Sequence, residues 1–491
     1  MTTPLATTHP AVHHDAATAQ AFLAEYHVFR NDEGFYCFHV EDMTAYAIPE
    51  RLFEELQTLK TRPEALGDAH IALFNALDQM NLLRDESLAQ REIITPERIP
   101  VATISLNVAQ LCNLSCVYCY GGDGEYGEKG FMKQNTAFEA VDWLIRESFD
   151  RKDVCIIFFG GEPLLNFPLM KEVVVYALEA TRKAGKALSF GITTNGTKFD
   201  DEVNAFLNKH KFAVTISFDG DPEMQDANRP LKGGQGSYKM IRDKVATFLA
   251  TRNGRASGRA TITNHNADRT KIKQALVDVG FKSVGMTMVS APETAETKLY
   301  QIELPNHDKL RADLKAQAHE TLEAIQNRTT IYERTMLTYL SHLLTKEKKL
   351  YFCGVGRGLT AVSISGDLYP CHRFVGDESM KMGNIKDWDE EKAKTAQKPY
   401  IENYGLSHPK CSQCFARYFC GGGCIHESLN TNGSIWEPDD NHCQELRRSV
   451  ELAVGIYDQC NDDDKEHLAT LLGARATRVK EAQHTHGIEM A

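Results

Sequence analysis

Cysteine is the residue type whose placement in this chain most clearly suggests chemistry. Ten of the thirteen cysteines fall into two groups, one around residue 115 and one between residues 353 and 443. The first group is Cys112-Asn-Leu-Ser-Cys116-Val-Tyr-Cys119. Three thiolates on one short loop can bind three irons of a [4Fe–4S] cube and leave the fourth iron without a protein ligand. A zinc knuckle with a distant fourth ligand is the alternative.

Short polar segments follow three hydrophobic runs farther along the chain. They are Phe158-Phe-Gly160-Gly161-Glu162-Pro163, Thr193-Thr-Asn195-Gly196 and Ser217-Phe-Asp219-Gly220. Gly160 and Gly161 would let the backbone approach a ligand closely, and Glu162 offers a carboxylate to an ammonium group. Each segment taken alone fits a helix N-cap or a turn equally well.

Strand-like runs alternate with amphipathic helical stretches between residues 96 and 290. The six runs are Thr103–Val108, Val154–Phe159, Leu188–Thr193, Phe212–Phe218, Arg259–Thr263 and Ser283–Val289. This alternation predicts an α/β fold built on a partial (β/α)6 barrel. In such barrels ligands bind at the carboxyl ends of the strands, which is where the cysteine loop and the polar segments would lie.

The series CxxxCxxC, GGEP, TNG and SxDG resembles the radical S-adenosylmethionine (SAM) superfamily over roughly residues 100–290. The resemblance implies a [4Fe–4S] cluster on Cys112, Cys116 and Cys119, with the amine and carboxylate of SAM on its open iron. It also implies that Glu162 meets the SAM amine, that Asn195 and Ser217 lie near the ribose, and that Tyr118 lies near the adenine. Arg259 is a candidate partner of the SAM carboxylate, with a surface ion pair as the alternative. Electron transfer to SAM would release a 5′-deoxyadenosyl radical, which takes a hydrogen atom from the substrate.

The second cysteine group contains seven thiols: Cys353, Cys371, Cys411, Cys414, Cys420, Cys424 and Cys443. Two zinc sites are one alternative, and disulfides, which a reducing compartment disfavours, are another. The spacing resembles the SPASM domain of radical SAM peptide and protein maturases, which implies two auxiliary [4Fe–4S] clusters and three clusters in all. By this resemblance Cys411, Cys414, Cys420 and Cys443 ligate one auxiliary cluster fully, whereas Cys353, Cys371 and Cys424 hold the other. We hypothesise that the three-cysteine cluster has an open iron for a substrate thiolate, and that Cys460 is a buried structural thiol.

The segment before the barrel, residues 21–95, predicts a small α+β unit. Three short strands, Tyr26–Phe29, Phe35–Val40 and Thr44–Ile48, precede a helix after Pro49 and a second helix around Leu73–Met80. The order of elements resembles the PqqD-like, winged-helix-like recognition domain fused to many such maturases. That resemblance implies that a leader peptide adds a strand to the edge of the sheet. A packing domain without a ligand is the alternative.

The rest of the chain completes the predicted organisation. Residues 1–20 read as a flexible tail, 96–290 as the barrel, 291–350 as a helical connector, 351–450 as the SPASM domain and 451–491 as a C-terminal helix and tail. The segment from Asp219 to Arg229 resembles the DGP…HD..R segment of the maturases, with Gln225 where His is usual. Asp219, Asp226 and Arg229 are therefore the candidate catalytic residues, with surface charges as the alternative.

Composition argues against several classes of function. The formal net charge of −12 gives no basic field for nucleic acid. No apolar run approaches the ~18 residues of a membrane span, and the N-terminal segment lacks the features of a secretion signal. We therefore expect a soluble cytoplasmic protein that binds neither nucleic acid nor membrane.

Together these features predict a radical SAM peptide maturase. Tyr369-Pro-Cys371-His-Arg-Phe and the recognition element resemble maturases that form thioether crosslinks from a Cys to carbon, namely the SCIFF/ranthipeptide type and the maturase of the quinohemoprotein amine dehydrogenase small subunit. The expected partners are a leader-bearing peptide or a small protein subunit, and a flavodoxin or ferredoxin as electron donor. Alternatives are a PqqE-type carbon–carbon crosslinker, a formylglycine-forming sulfatase maturase, and a non-catalytic iron–sulfur or zinc scaffold.

Overall fold

The computed structural model describes residues 25–62, 95–290, 294 and 296–485, with only the backbone of 304 and of 474–485. The predicted tail at residues 1–20 and the predicted helix around Leu73–Met80 lie outside these residues. Within the described part of the chain, no helix is both long and apolar enough to cross a membrane.

The N-terminal unit begins with the three strands that the sequence predicts. They are β1 (Tyr26–Asn31), β2 (Gly34–His39) and β3 (Thr44–Ala47), paired antiparallel in that order and followed by helix α1 (Glu50–Thr61). The β1–β2 turn closes where the Asn31 side chain accepts hydrogen bonds from the backbone N–H groups of Glu33 and Gly34. Helix α1 covers one face of the sheet through Leu56 and Leu59.

Six parallel strands form the centre of the molecule and confirm the predicted α/β fold. They are β4 (Thr103–Gln110), β6 (Asp153–Gly160), β7 (Ala187–Thr194), β8 (Ala213–Ser217), β9 (Ala256–Ile262) and β10 (Val284–Met288), while β5 (Gly130–Phe131) pairs antiparallel with β4. The parallel strands are ordered β10-β9-β8-β7-β6-β4. This is the open, partial barrel that the strand–helix alternation predicts.

Helices cover the outer face of this sheet. They are α2 (Gln134–Glu147), α3 (Phe167–Lys183), α4 (Asp201–Lys209), α5 (Pro222–Asn228), α6 (Tyr238–Thr251) and α7 (Arg269–Val279). Asp200, Asp221 and Asp268 start three of them, because each carboxylate accepts a hydrogen bond from a backbone N–H in the first turn. Alternate strand residues such as Ile104, Leu106 and Phe158 pack against these helices.

The opposite, inner face of the sheet is lined mainly by polar side chains, together with Ile157 and Phe159. Ser105 and Asn107 are buried on β4 without a described hydrogen-bond partner for Ser105 Oγ or for either polar atom of Asn107. The inner positions of the other strands are partly exposed: Ile157, Phe159, Thr193, Thr215, Ser217, Arg259, Thr261 and Thr287. Bulky branched residues fill the interior of a closed barrel. Here the interior is an open polar trough with room for ligands.

The C-terminal half continues the same sheet. Strand β11 (Leu359–Val362) pairs in parallel with β4, and β12 (Asp367–Tyr369) and β13 (Gly383–Asn384) follow antiparallel. The remaining helices are α8 (Leu304–Gln326), α9 (Thr335–Thr345), α10 (Glu390–Glu402), α11 (Pro409–Ser412), α12 (Arg417–Cys420), α13 (Ile425–Asn432), α14 (Asp440–Gln459) and α15 (Asp462–Thr485). Helices α8 and α9 lie in the predicted helical connector. The segments before and after the expected domain boundary at residue 350 therefore both contribute strands to one sheet.

The N-terminal sheet rests on the C-terminal half of the chain. Its Phe29, Tyr36 and Phe38 share a core with residues of α8, α9 and α14. At the rim, Glu41 accepts hydrogen bonds from Arg417 Nη2 at 2.9 Å and the Tyr418 hydroxyl at 2.5 Å. This contact places the N-terminal unit beside the second cysteine group.

Candidate active site

The first cysteine loop lies at the carboxyl end of β4 and is held by the segment after α5. The backbone N–H of Ser115 donates to Pro230 O at 2.9 Å, and that of Val117 donates to Asn228 O at 3.0 Å. Leu114 and Leu231 form an isolated antiparallel bridge. Two stretches of chain about a hundred residues apart thus fix the shape of the loop.

The thiols of Cys112, Cys116 and Cys119 gather on this loop. Burial is the main cause that raises the pKa of Cys112 to about 11 and that of Cys116 to about 12, and the Cys119 thiol contributes to both rises. Cys112 Sγ also accepts a hydrogen bond from Leu114 N at 3.4 Å. The structure therefore brings together the three thiols that the sequence predicts as one ligand set.

The three thiols of this loop are candidate ligands of a [4Fe–4S] cluster, and a zinc knuckle is the alternative. Among the described residues, no three His, Cys, Asp or Glu side chains are placed to hold one metal ion. Two thiolates on one zinc ion can be no more than about 4.6 Å apart, since each Zn–S bond is about 2.3 Å long. The thiolates of a cube bind different irons and stand farther apart.

Glu162 is fully buried and acts as an N-cap. Its Oε1 accepts hydrogen bonds from Leu164 N at 3.0 Å and Thr194 Oγ1 at 2.8 Å, and its Oε2 accepts one from Asn195 N at 2.7 Å. The first bond starts the 3-10 helix Pro163–Asn166. Burial raises the pKa of this carboxyl group, and the three hydrogen bonds oppose the rise. The contact between Glu162 and the SAM amine stays a prediction.

The two glycines before Glu162 pack closely against the chain that enters the cysteine loop, and they do not border an open space. A Cβ on Gly160 would lie 2.1 Å from Ala109 O, and one on Gly161 would lie 2.3 Å from Leu111 O. The N–H of Gly161 donates to Ala109 O at 2.8 Å. The predicted close backbone approach is therefore present, but its partner is the chain entering the cysteine loop.

Asn195 links the end of β7 to that loop. Its Nδ2 lies 3.0 Å from Asn113 Oδ1 and 3.8 Å from Cys112 Sγ, and its Oδ1 accepts hydrogen bonds from Thr197. Asn113 donates to Thr197 Oγ1 at 2.8 Å. The sequence analysis did not single out Asn113 and Thr197. The only signal for them was their position beside Cys112 and Asn195.

Tyr118, Asp219 and Arg229 form one buried network. The Tyr118 hydroxyl donates to Asp219 Oδ2 at 2.6 Å, and Arg229 Nη1 donates to the same hydroxyl at 2.6 Å. Burial raises the pKa of Asp219, while Arg229, Tyr118 and neighbouring hydrogen bonds lower it. Three residues given separate roles in the sequence thus act together at the base of the cysteine loop.

The other predicted contacts have different surroundings. Asp226 caps the start of α6, with its Oδ1 accepting from Tyr238 N at 2.7 Å, and the structure does not bring it into the Tyr118 network. Ser217 ends β8 on the inner face, in register with Arg259 of β9. Burial, and then the positive charge of Arg373, lower the pKa of Arg259. Arg259 therefore lies in the trough, close to the second cysteine group.

The seven cysteines of the C-terminal half divide into two neighbourhoods. Burial raises the pKa of Cys411 to about 11 and of Cys420 to about 12, and the Cys443 thiol adds to both rises. Cys414 in turn raises the pKa of Cys443. Burial raises the pKa of Cys371 to about 12, and its neighbours are Cys424 and Cys353. These neighbours fall into the groups of four and three that the resemblance to the SPASM domain implies, and their roles as cluster ligands stay a prediction.

Aromatic and histidine side chains line the space between the first loop and the three-cysteine neighbourhood. Tyr120, which follows Cys119, lies 6.2 Å from the His372 ring and 5.9 Å from the His426 ring. Phe159 of the trough packs against His372, with ring centres 4.2 Å apart and ring planes tilted by 32°. Cys460, by contrast, is buried at the end of α14 in the apolar core. Sequence reasoning did not assign Tyr120, Phe159 or His426 to this space.

Comparison with known proteins identifies the class of this site. Residues 106–255 match the family model of the radical SAM superfamily. The chain therefore carries a radical SAM domain, and the matched residues include the first cysteine loop and the network around Tyr118.

Individual relatives extend beyond that domain. The chain is 27% identical over 316 residues to an uncharacterized protein of Methanocaldococcus jannaschii, which covers 64% of this chain and 94% of that protein. It is 24% identical over 367 residues to a cysteine-type anaerobic sulfatase-maturating enzyme of Clostridium perfringens, covering 72% of this chain and 96% of the relative.

Two solved structures share the fold. The structure of anSMEcpe with bound AdoMet (SAM) has a TM-score of 0.62 at 21% identity and covers 75% of this chain and 98% of its own. Streptococcus suis SuiB bound to its precursor peptide SuiA has a TM-score of 0.50 at 15% identity, with 86% and 99% covered. The architecture beyond the radical SAM domain is thus one found in known proteins.

Proposed function

We propose that this protein is a radical SAM maturase that modifies a peptide or protein substrate. The observation that carries the proposal is the three-thiol loop at the end of β4, held beside Glu162, Asn195 and the Tyr118 network. When bound there, a [4Fe–4S] cluster and SAM supply a 5′-deoxyadenosyl radical that takes a hydrogen atom from the substrate. Asn195 and the segment after α5 keep the loop in place, and the polar trough receives the substrate.

The C-terminal cysteines support a SPASM-type auxiliary domain with two further clusters. Cys411, Cys414, Cys420 and Cys443 supply four ligands to one cluster, whereas Cys353, Cys371 and Cys424 supply three to the other. The eighth ligand is then free for exchange, and a cysteine thiolate of the substrate has the right chemistry for it. Tyr120, His372 and His426 line the approach between this neighbourhood and the first loop.

The N-terminal sheet supports recognition of a peptide. Strand β3 is an outer strand of its sheet, with Ala47 exposed. An extended peptide can pair with such an edge through its main chain. The neighbour SuiB was solved with a precursor peptide. A PqqD-like role for residues 21–95 follows as part of the proposal, with a flavodoxin or ferredoxin as the electron donor.

Formylglycine and a thioether crosslink are the two candidate products on the substrate. Formylglycine is favoured by the relatives named as sulfatase-maturating enzymes. A thioether crosslink between a Cys and a carbon atom is favoured by the three-cysteine neighbourhood, because an open iron there suits a substrate thiolate. The Clostridium perfringens relative is matched over 96% of its length, and more than a quarter of this chain lies outside that match.

Cleavage of SAM tests the class of chemistry. Anaerobic protein reduced with dithionite should convert SAM to 5′-deoxyadenosine, and Cys116→Ala should abolish this while keeping the auxiliary iron. Cys460→Ala is the matched control, because Cys460 is a buried thiol outside both cysteine groups. Undiminished 5′-deoxyadenosine from Cys116→Ala would overturn the proposal.

The mass of the modified peptide distinguishes the products. A thioether removes two hydrogen atoms and one alkylatable thiol. Formylglycine made from Ser also removes two hydrogen atoms, but it leaves every thiol and adds an aldehyde that hydrazides trap. Formylglycine made from Cys replaces sulfur and two hydrogens by one oxygen. A peptide encoded beside this gene is the first substrate to try.

A further inference from the structure

Arg373 contacts two of the three cysteines of the smaller C-terminal neighbourhood. Its Nη1 lies 3.5 Å from Cys424 Sγ, within reach of a hydrogen bond to sulfur. Its backbone N–H faces the Cys371 thiol, two residues earlier in the chain. Arg373 is therefore placed both to orient the ligands and to set the charge beside them.

The same arginine connects the other cysteine groups. Its guanidinium lies 5.4 Å from the centre of the Tyr120 ring, and Tyr120 follows Cys119. Its Nη1 also pairs with Glu427 Oε1 at 3.0 Å, and Glu427 Oε2 lies 3.7 Å from His442 Nδ1, beside Cys443. Arg373 and Glu427 thus form the middle of a chain of contacts that reaches all three groups.

We propose that Arg373 is a positioning residue that fixes the Cys424 thiolate and raises the reduction potential of the three-cysteine cluster, with Glu427 as its opposing charge. This inference rests on the auxiliary cluster of the proposed function. Reduction adds negative charge to an iron–sulfur cluster, so a nearby cation and a hydrogen bond to a ligand sulfur favour the reduced form. A nearby carboxylate has the opposite effect. With their side chains 23% and 10% exposed, Arg373 and Glu427 are shielded from solvent screening.

Substitutions that remove a positive or a negative charge beside the cluster should shift its midpoint potential in opposite directions. Arg373→Gln should lower the midpoint potential of the three-cysteine cluster, and Arg373→Lys should lower it less because the charge remains. Glu427→Gln should raise the potential, because it removes the negative charge beside Cys424. A general disturbance of the fold would not produce shifts of opposite sign.

The experiment is an anaerobic potentiometric titration followed by electron paramagnetic resonance, with all variants in the Cys116→Ala background so that only auxiliary clusters contribute. Arg242→Gln is the matched control, because Arg242 is an exposed arginine paired with Asp243 on α6. Unchanged potentials, or shifts in one direction for both variants, would overturn the proposal. If Arg373→Gln does not retain the cluster, Glu427→Gln decides: a raised potential supports the role and any other result refutes it. Absence of auxiliary iron in the parent protein would instead refute the clusters of the proposed function.

Discussion

At the residue scale, the site depends on side chains that meet only in the folded chain. Tyr118 and Asp219 are separated by 101 positions, and Tyr118 and Arg229 by 111, yet one hydroxyl joins them. The sequence predicted that each residue matters, because Tyr118 lies within the first cysteine motif and Asp219 and Arg229 belong to the segment that resembles the maturases. It could not predict that they hydrogen-bond, since side-chain pairing over such separations depends on the sheet order and on the path of the loops.

Replacing Tyr118 by Phe should destabilise the protein without removing the aromatic ring. The loss of a hydroxyl bonded to two charged groups should cost about 1.5–3 kcal/mol, seen as a lower thermal midpoint of the anaerobic protein. Tyr176→Phe should change stability by about 0.5 kcal/mol or less, since its hydroxyl binds Asp142 at the surface. Equal effects of the two substitutions would contradict the network. Tyr118→Ala should weaken SAM binding more than Tyr118→Phe does, if the ring faces the adenine.

At the scale of elements, the six parallel strands of the barrel were predictable, whereas strand β11, which pairs with β4, was not. Each predicted strand is a run of apolar residues bounded by turn-forming residues, so a local pattern reveals it. Strand β11 has four residues, and its pairing with β4 joins positions some 256 apart, such as Thr103 and Leu359. Local patterns carry no information about such a pairing. For the same reason the close backbone approach at Gly160 and Gly161 was predictable, but its partner, the chain entering the cysteine loop, was not.

Gly161→Ala should displace the cysteine loop. The added Cβ would lie 2.3 Å from Leu111 O and 2.6 Å from Gly124 O, and both are backbone atoms that cannot move alone. We expect the variant to lose about four irons per chain, those of the first cluster, while the auxiliary iron stays. Gly358→Ala is the control, because the nearest atom to its Cβ would be 3.9 Å away. Iron analysis compares the two, and full iron content in Gly161→Ala would contradict the packing.

At the scale of the whole molecule, the N-terminal sheet and the second cysteine group form one assembly. Burial alone would raise the pKa of Glu41, but hydrogen bonds from Lys348, Tyr418 and Arg417 outweigh it and lower the pKa to about 2. The element order of the N-terminal unit was predictable, because its strands are short and bounded by turns. The surface on which this unit docks was not predictable, because ion pairs between residues far apart in the chain leave no periodic pattern in the sequence.

Acid should weaken this docking through Glu41. A carboxyl group whose pKa falls from 4.5 to about 2 on folding stabilises the native state above pH 4.5 and loses that contribution as the pH falls toward 2. The contribution is at most about 3 kcal/mol. Glu41→Gln should therefore be less stable than wild type in urea at pH 7, and the difference should shrink at pH 3. Glu55→Gln, at an exposed pair with Arg51, is the control, and a Glu41→Gln protein as stable as wild type at pH 7 would contradict the prediction.

The pairing of β11 with β4 has a consequence for how this protein can evolve and be engineered. Strand β4 presents the first cysteine loop, and apart from a two-residue pairing with β5 its edge away from β6 is covered by β11, some 256 positions farther along the chain. A fragment ending near residue 350 would leave most of the backbone N–H and C=O groups on that edge of β4 unpaired. Such an edge can pair with another chain and promote association. The two halves of the chain therefore cannot be exchanged independently. A chimera must carry β11 together with the barrel, because otherwise the first cysteine loop would follow a strand with an unpaired edge.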